Sequence, residues 1–363
     1  MLKRLLPALA LAIAGGALFA QAQPAPLPPP PPAAAPLAPP PSQAPLPSAP
    51  TGTLTQSPGG AEARAGEEPP SRWQAELAEL DADLRLRLLS ANEPRTDWLA
   101  GELEGADIVS QVRHYAAART AAPDEQLYQA SLATACLTRV RPPLAECEAV
   151  DRLADWARRD VDNGVPSLLL ADRARQRGEA DSAVAHVEHA AGAARFDDYW
   201  SRGALQWWNY LRVLPVKTDS AAKAQAAANY AAARELSWAS SLRALCAESG
   251  ARSERMKAAC AKVGEAMMAR GATFALQRAG ARVAETNAPD DRARKAAQAR
   301  HARILEATAR CAQQRPDFAS DLESAATDTR ARGVEQFGVW ASAQARDGEV
   351  GACVRLATAA PRK

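Results

Sequence analysis

From residue 71 onward the apolar side chains recur every three or four positions. Trp73, Leu77, Leu80, Leu84 and Leu88 open the pattern, and that spacing lays one apolar stripe along a helix. No stretch keeps up the strict alternation that a half-buried strand requires. The periodicity predicts helices at 71–91, 97–119, 123–138, 143–159, 166–177, 179–193, 197–213, 219–248, 253–285, 290–314, 317–346 and 349–358. Pro94, Pro123, Pro142, Pro143, Pro166, Pro215, Pro289, Pro316 and Pro361 fall between periodic segments, where a loop or a first helical turn tolerates proline. The expected fold class is all-α, with helical hairpins stacked as a solenoid-like body over residues 71–363.

Before residue 71 the pattern is absent. Lys3 and Arg4 precede an apolar run over residues 5–19, followed by Ala20-Gln21-Ala22. That order is a secretory signal peptide over residues 1–22, with cleavage expected before Gln23. The run is broken by Pro7, Gly15 and Gly16 and is shorter than the roughly 20 apolar residues a spanning helix needs. No membrane span is therefore expected after cleavage. Residues 23–50 hold 14 prolines in 28 positions, which fixes the backbone near polyproline II and removes donors. Residues 23–70 are expected to be a disordered or semi-rigid linker, whose proline-rich part reaches roughly 85 Å at about 3.1 Å per residue.

Charge narrows the partners. Without Lys3 and Arg4 the chain carries 42 basic and 42 acidic side chains, and a neutral total argues against nucleic acid. Only seven of the 44 basic residues are lysine and alanine is abundant, a bias that fits a GC-rich coding sequence. With the export signal, this points to a periplasmic or secreted protein of a Gram-negative bacterium, an uncleaved signal anchor being the alternative.

Two hairpins are related by a shift of 34 residues, which maps Cys136 onto Leu170, Ala149 onto Ala183, Leu153 onto Val187 and Trp156 onto Ala190. In the second, over residues 164–191, Leu170 and Ala171 occupy the first helix, Gly178 the turn, and Ala183, Val187 and Ala190 the second helix. This resembles the tetratricopeptide and Sel1-like repeats, which implies paired helices in close approach across a tight turn. Ala174 stands where those repeats carry a large aromatic. The resemblance covers about 60 residues and implies architecture, not chemistry. Further on, nine of the thirteen residues at 221–233 are alanine, the best helix former, with Leu236, Trp238, Leu242 and Leu245 expected to anchor that helix.

All six cysteines lie in the helical body, and export makes their oxidation the expectation. Six cysteines allow 15 pairings. Cys136 and Cys147 flank Pro142 and Pro143, and Cys246 and Cys260 flank the turn at Gly250 and Ser253, so each pair would staple a hairpin. By elimination Cys311 would pair with Cys353. No C-x-x-C occurs.

Catalytic signatures are absent: no G-x-S-x-G, P-loop, G-x-G-x-x-G or H-E-x-x-H is found. Glu248-Ser249 and Glu323-Ser324 lack the glycine- and glutamine-rich surroundings of the lytic transglycosylases. His186 and His189 are three apart on one helix and could share a metal, but no third ligand is specified, so no metal or cofactor is expected. The doublets Asp197-Asp198 and Asp290-Asp291 stand where helices open, as helix caps would. Arg292, Arg294, Lys295, Arg300, Arg303, Arg310 and Arg315 read as a solvated face, with an anionic envelope polymer as the alternative partner.

The densest aromatic stretch runs from Phe196 to Tyr210. Spacing puts Trp200, Ala204, Trp207, Leu211 and Leu214 on one core stripe and leaves Trp208 and Tyr210 off it. Those two are expected to be buried against the next helix pair, with a platform for a sugar ring or a peptide as the alternative. The expected function is a non-enzymatic scaffold for an envelope protein partner. A glycan binder using Trp208 and Tyr210 is the first alternative, and a hydrolase assembled from scattered residues is the second.

Overall fold

The computed structural model describes residues 72–359 except 91, 105–106, 138–143, 149–150, 234–236, 248–252, 315–320, 323 and 325. The expected signal peptide and proline-rich linker lie outside the described residues, as do Glu248, Ser249, Glu323, Arg315 and Leu236. Among the described residues there is no β-strand, only two isolated bridges. The chain is all-α, as its periodicity predicts.

The helices are α1 (Arg72–Leu89), α2 (Pro94–Leu103), α3 (Ile108–Ala121), α4 (Gln126–Ala135), α5 (Ala145–Glu148), α6 (Arg152–Arg159), α7 (Gly164–Gln176) and α8 (Ala180–Gly192). They continue as α9 (Trp200–Leu211), α10 (Ser220–Ala233), α11 (Ser237–Cys246), α12 (Glu254–Arg270), α13 (Phe274–Thr286), α14 (Asp291–Gln314) and α15 (Thr327–Ala359).

Side chains that take the free amides of a first turn explain where several helices start. Asp107 accepts from the amides of Val109 and Ser110, Asp151 from Ala154, Ser253 from Met256 and Thr273 from Leu276. Each such cap contributes about 1 kcal/mol. Three of them divide or open segments that apolar spacing alone reads as continuous: 97–119 becomes α2 and α3, 143–159 becomes α5 and α6, and 253–285 becomes α12 and α13. The alanine-rich segment 219–248 likewise forms α10 and α11, with Trp238, Leu242 and Leu245 buried on the latter. At the other end, segments expected as 317–346 and 349–358 merge in α15, which bends at Gly348. Gly348 has a φ of 71°, and a Cβ there would lie 2.7 Å from the Ala272 carbonyl oxygen, so only glycine lets this turn pass so close.

Packing follows chain order along a row: α2 against α3, α3 against α4, α4 against α6, α6 against α7, and α7 against α8. The row then continues from α8 directly to α12, α13 and α14. Between α8 and α12 the chain leaves the row to build α9, α10 and α11. Of these, α11 lies on α7, while α9 packs on α10 and on the returning α15. The α7–α8 hairpin forms where expected, with Gly178 in its turn and Leu170, Ala171, Ala183, Val187 and Ala190 all buried. Its partner at a shift of 34 has different boundaries: the shift carries α4 onto 160–169, four residues ahead of α7.

Three disulfides fasten the helices: Cys136–Cys147, Cys246–Cys260 and Cys311–Cys353, with sequence separations of 11, 14 and 42. On the chain-entropy account such loops contribute about 3 to 4 kcal/mol each. No described helix is long and apolar enough to cross a membrane.

Candidate functional site

The excursion away from the row begins in an extended strap, residues 193–199, that threads between two helix junctions. Its backbone makes a parallel bridge from Arg195 to Asn163 and another from Phe196 to Gly271. Gly164 N donates to the Arg195 carbonyl at 2.9 Å, Arg195 N to the Asp162 carbonyl at 3.0 Å, and Ala272 N to the Phe196 carbonyl at 2.9 Å. The ring of Phe196 is fully buried and fills the space where Gly164 has no side chain. Beyond it, Val350 N donates to the Ala272 carbonyl at 3.3 Å, which ties in the bend of α15.

The strap carries Arg195 and Tyr199 to Asp160, the residue that closes α6. Asp160 Oδ2 accepts from Tyr199 Oη at 2.7 Å, Asn163 Nδ2 at 2.8 Å and Trp156 Nε1 at 3.1 Å, and Oδ1 accepts from Arg195 Nη2. Four donors hold this buried carboxylate, three on Oδ2 and one on Oδ1, so it is fixed in place by its neighbours. Burial is the largest of the influences on Tyr199 and holds its hydroxyl well above the ordinary phenol value, so the group stays a donor. Tyr199 adopts a left-handed backbone, φ 59°, which costs a side-chain-bearing residue about 1–2 kcal/mol. The Asp197 carboxylate, accepting from Tyr199 N at 2.8 Å, helps to hold it there. Burial pushes Asp197 itself above the usual carboxylate range.

A second carboxylate node lies one turn and a half back along α6. Asp155 Oδ2 accepts from Arg119 Nη2 at 2.9 Å and Gln129 Nε2 at 3.0 Å, while Oδ1 accepts from Arg158 Nη2 and Arg159 Nε, both at 3.3 Å. Burial works to raise the Asp155 pKa, but Arg159, Arg119 and Gln129 outweigh it and leave the group below its ordinary value. Arg152 is also lowered, first by burial and then by the nearby Arg119. Around the Asp160 node, Arg202 lies over the Tyr199 ring, 4.9 Å from its centroid, and reaches Glu125 at 3.6 Å. Both nodes therefore have acids inside and guanidinium groups outside. Sequence reading missed them, because the partners that make them nodes, Gln129, Arg119, Arg195 and Tyr199, lie 26 to 39 residues from their acids.

The residues singled out by sequence fall elsewhere. Trp208 is buried, packed edge-on against Phe337 at 5.3 Å between ring centroids, which corrects the platform alternative for it. Helix α9 is covered on two sides: Trp207 stacks on Tyr230 of α10 and Trp208 meets α15. A residue off one apolar stripe is therefore on a second one. Tyr210 is half-buried, and its neighbours include the charged groups Arg87, Asp83 and Glu93. With one ring inside the core, the two aromatics do not form a common exposed face.

Among the described residues no three His, Cys, Asp or Glu side chains converge as metal ligands. His186 is lowered below its usual pKa, chiefly by burial and then by His189, and Glu188 of the same helix pairs with Arg255 at 2.7 Å. The acidic doublets do cap helices: Asp198 Oδ1 accepts from Trp200 N at 3.2 Å, and Asp290 Oδ1 from Ala293 N at 2.7 Å. On α14 the basic face is partly neutralised, with Arg294 on Asp291, Arg300 on Glu265 and Arg310 on Glu306, each at 2.9 Å. No family model, curated protein or solved structure matches the chain.

Proposed function

We propose that this chain is an exported, non-enzymatic protein-interaction scaffold of the bacterial envelope, with a proline-rich segment preceding a tetratricopeptide-like helical body. Secretion by the signal at residues 1–22 would deliver it to the periplasm, where the three disulfides can form and persist. The observation that carries the reading is the pairing of all six cysteines into helix-to-helix staples, joined to a row of stacked hairpins. Stacked hairpins offer an extended surface suited to binding another protein. The Asp160 cluster fits a scaffold as well, since its bonds join the strap to the end of α6.

Crosslinking in intact envelopes, followed by mass spectrometry of both captured proteins and captured peptidoglycan fragments, tests the proposal. A reproducible protein partner is expected. Recovery of glycan alone would reject the scaffold in favour of a wall binder.

A further inference from the structure

The C-terminal end of α6 has an unusual charge arrangement. Six arginines surround the two nodes: Arg119, Arg152, Arg158 and Arg159 near Asp155, and Arg195 and Arg202 near Asp160. The carboxylates that organise them are hidden, with side-chain exposures of 11% for Asp155 and 4% for Asp160, whereas Arg158, Arg159, Arg195 and Arg202 are 65%, 42%, 38% and 43% exposed. An arginine has five N–H donors. Arg158 uses one within the domain, through a single nitrogen, and Arg159 uses one, through Nε. Each guanidinium is thus aimed by a buried acid while most of its donors remain open to an outside acceptor. Two residues beyond Arg159 in the chain, the apolar side chain of Val161 is 62% exposed. Asp162 and Glu125 stand at the rim.

We infer that this end of α6 is the docking surface of the scaffold, and that it takes an acidic peptide segment of the partner protein, with carboxylates on Arg158 and Arg159 and an apolar residue on Val161. The inference rests on the scaffold reading above and names its partner's chemistry. Guanidinium forks match carboxylates in bidentate geometry, and their pre-orientation lowers the ordering cost of binding. A polyphosphate or nucleic-acid strand would use the arginines equally but would leave Val161 unused, and this favours the peptide.

The test uses the full oxidised chain and a short fluorescent peptide in which glutamates alternate with leucines. Binding that weakens with salt is expected. R158Q/R159Q should weaken it by about tenfold or more, equivalent to about 1.4 kcal/mol, and V161S by a smaller factor. Both variants should keep the wild-type circular dichroism, because Arg119 and Gln129 still hold Asp155. Equal binding by R158Q/R159Q, equal binding of the glutamine version of the peptide, or indifference to V161S together with displacement by polyphosphate would each overturn the inference. Envelope crosslinking separates its failure from that of the scaffold. A partner captured equally by wild type and R158Q/R159Q rejects this surface alone, and capture of no protein by either rejects the scaffold.

Discussion

Tyr199 donates its hydroxyl to Asp160 across 39 residues of sequence, at 2.7 Å. This bond joins the strap to the end of α6, and with those from Arg195, Asn163 and Trp156 it puts four donors on one buried carboxylate. Removing the carboxylate strands four donors, so Asp160→Ala should cost about 3–5 kcal/mol, as expected for breaking a buried ion pair. Tyr199→Phe removes two charge-assisted bonds, the one donated to Asp160 and the one accepted from Arg195 at 3.0 Å, and should cost about 2–3 kcal/mol. Urea denaturation of both variants checks this, and a loss under about 1 kcal/mol for Asp160→Ala would mean that water replaces the network.

Helices α12 and α13 touch backbone to backbone at Gly264. A Cβ there would lie 2.5 Å from Ala284 N and 2.7 Å from the Gly280 carbonyl oxygen. In an exposed helix, glycine to alanine adds about 1 kcal/mol of stability. Here the steric effect should win, and Gly264→Ala should lose about 1–3 kcal/mol, measured as a lower urea midpoint. A raised midpoint would show that the two helices can part without cost.

Asp151 is gripped by both ends of the Arg173 guanidinium, at 2.7 Å each, and this contact holds its carboxyl below the ordinary range. A depressed acid stabilises the fold above its unfolded pKa of about 3.9 and loses that contribution as pH falls through the folded value. The pair is partly exposed, so Arg173→Ala should cost only about 0.5 kcal/mol at neutral pH. The gap between wild type and variant should close on acidification, as read from urea midpoints along a pH series. A gap that persists in acid would assign the effect to the packing of the arginine stem instead.

Much of this architecture was legible in the sequence. Periodicity placed the helices, proline placed the loops, and cysteines on either side of a turn announced two staples. Helix breaks were harder, because Thr273 caps α13 in the middle of an apolar pattern that runs on unbroken through Gly271. Trp208 is buried as its favoured reading expects, but a single stripe does not show which helix covers it, because α9 is covered by both α10 and α15. The strap was invisible, since its meaning lies in backbone pairing with Asp162 and Ala272. The docking surface was equally hidden: Arg158 and Arg159 are an ordinary charged pair until Asp155 is seen buried beneath them.

Gln344 is wholly buried on α15, and neither its amide oxygen nor its nitrogen has a partner. An unsatisfied buried polar group costs about 1–3 kcal/mol. Gln344→Met keeps the shape and removes the polarity, so it should raise the melting midpoint by an amount equivalent to about 1 kcal/mol. A lowered midpoint would place an ordered water at the amide.

Export with oxidation is the premise of the scaffold, and the intact mass of the protein released from the envelope by osmotic shock tests it most directly. The expected species begins at Gln23, is lighter by the six hydrogens lost in three disulfides, and takes up no alkylating reagent until reduced. A species that retains Met1 and alkylates at two or more thiols without reductant would contradict it.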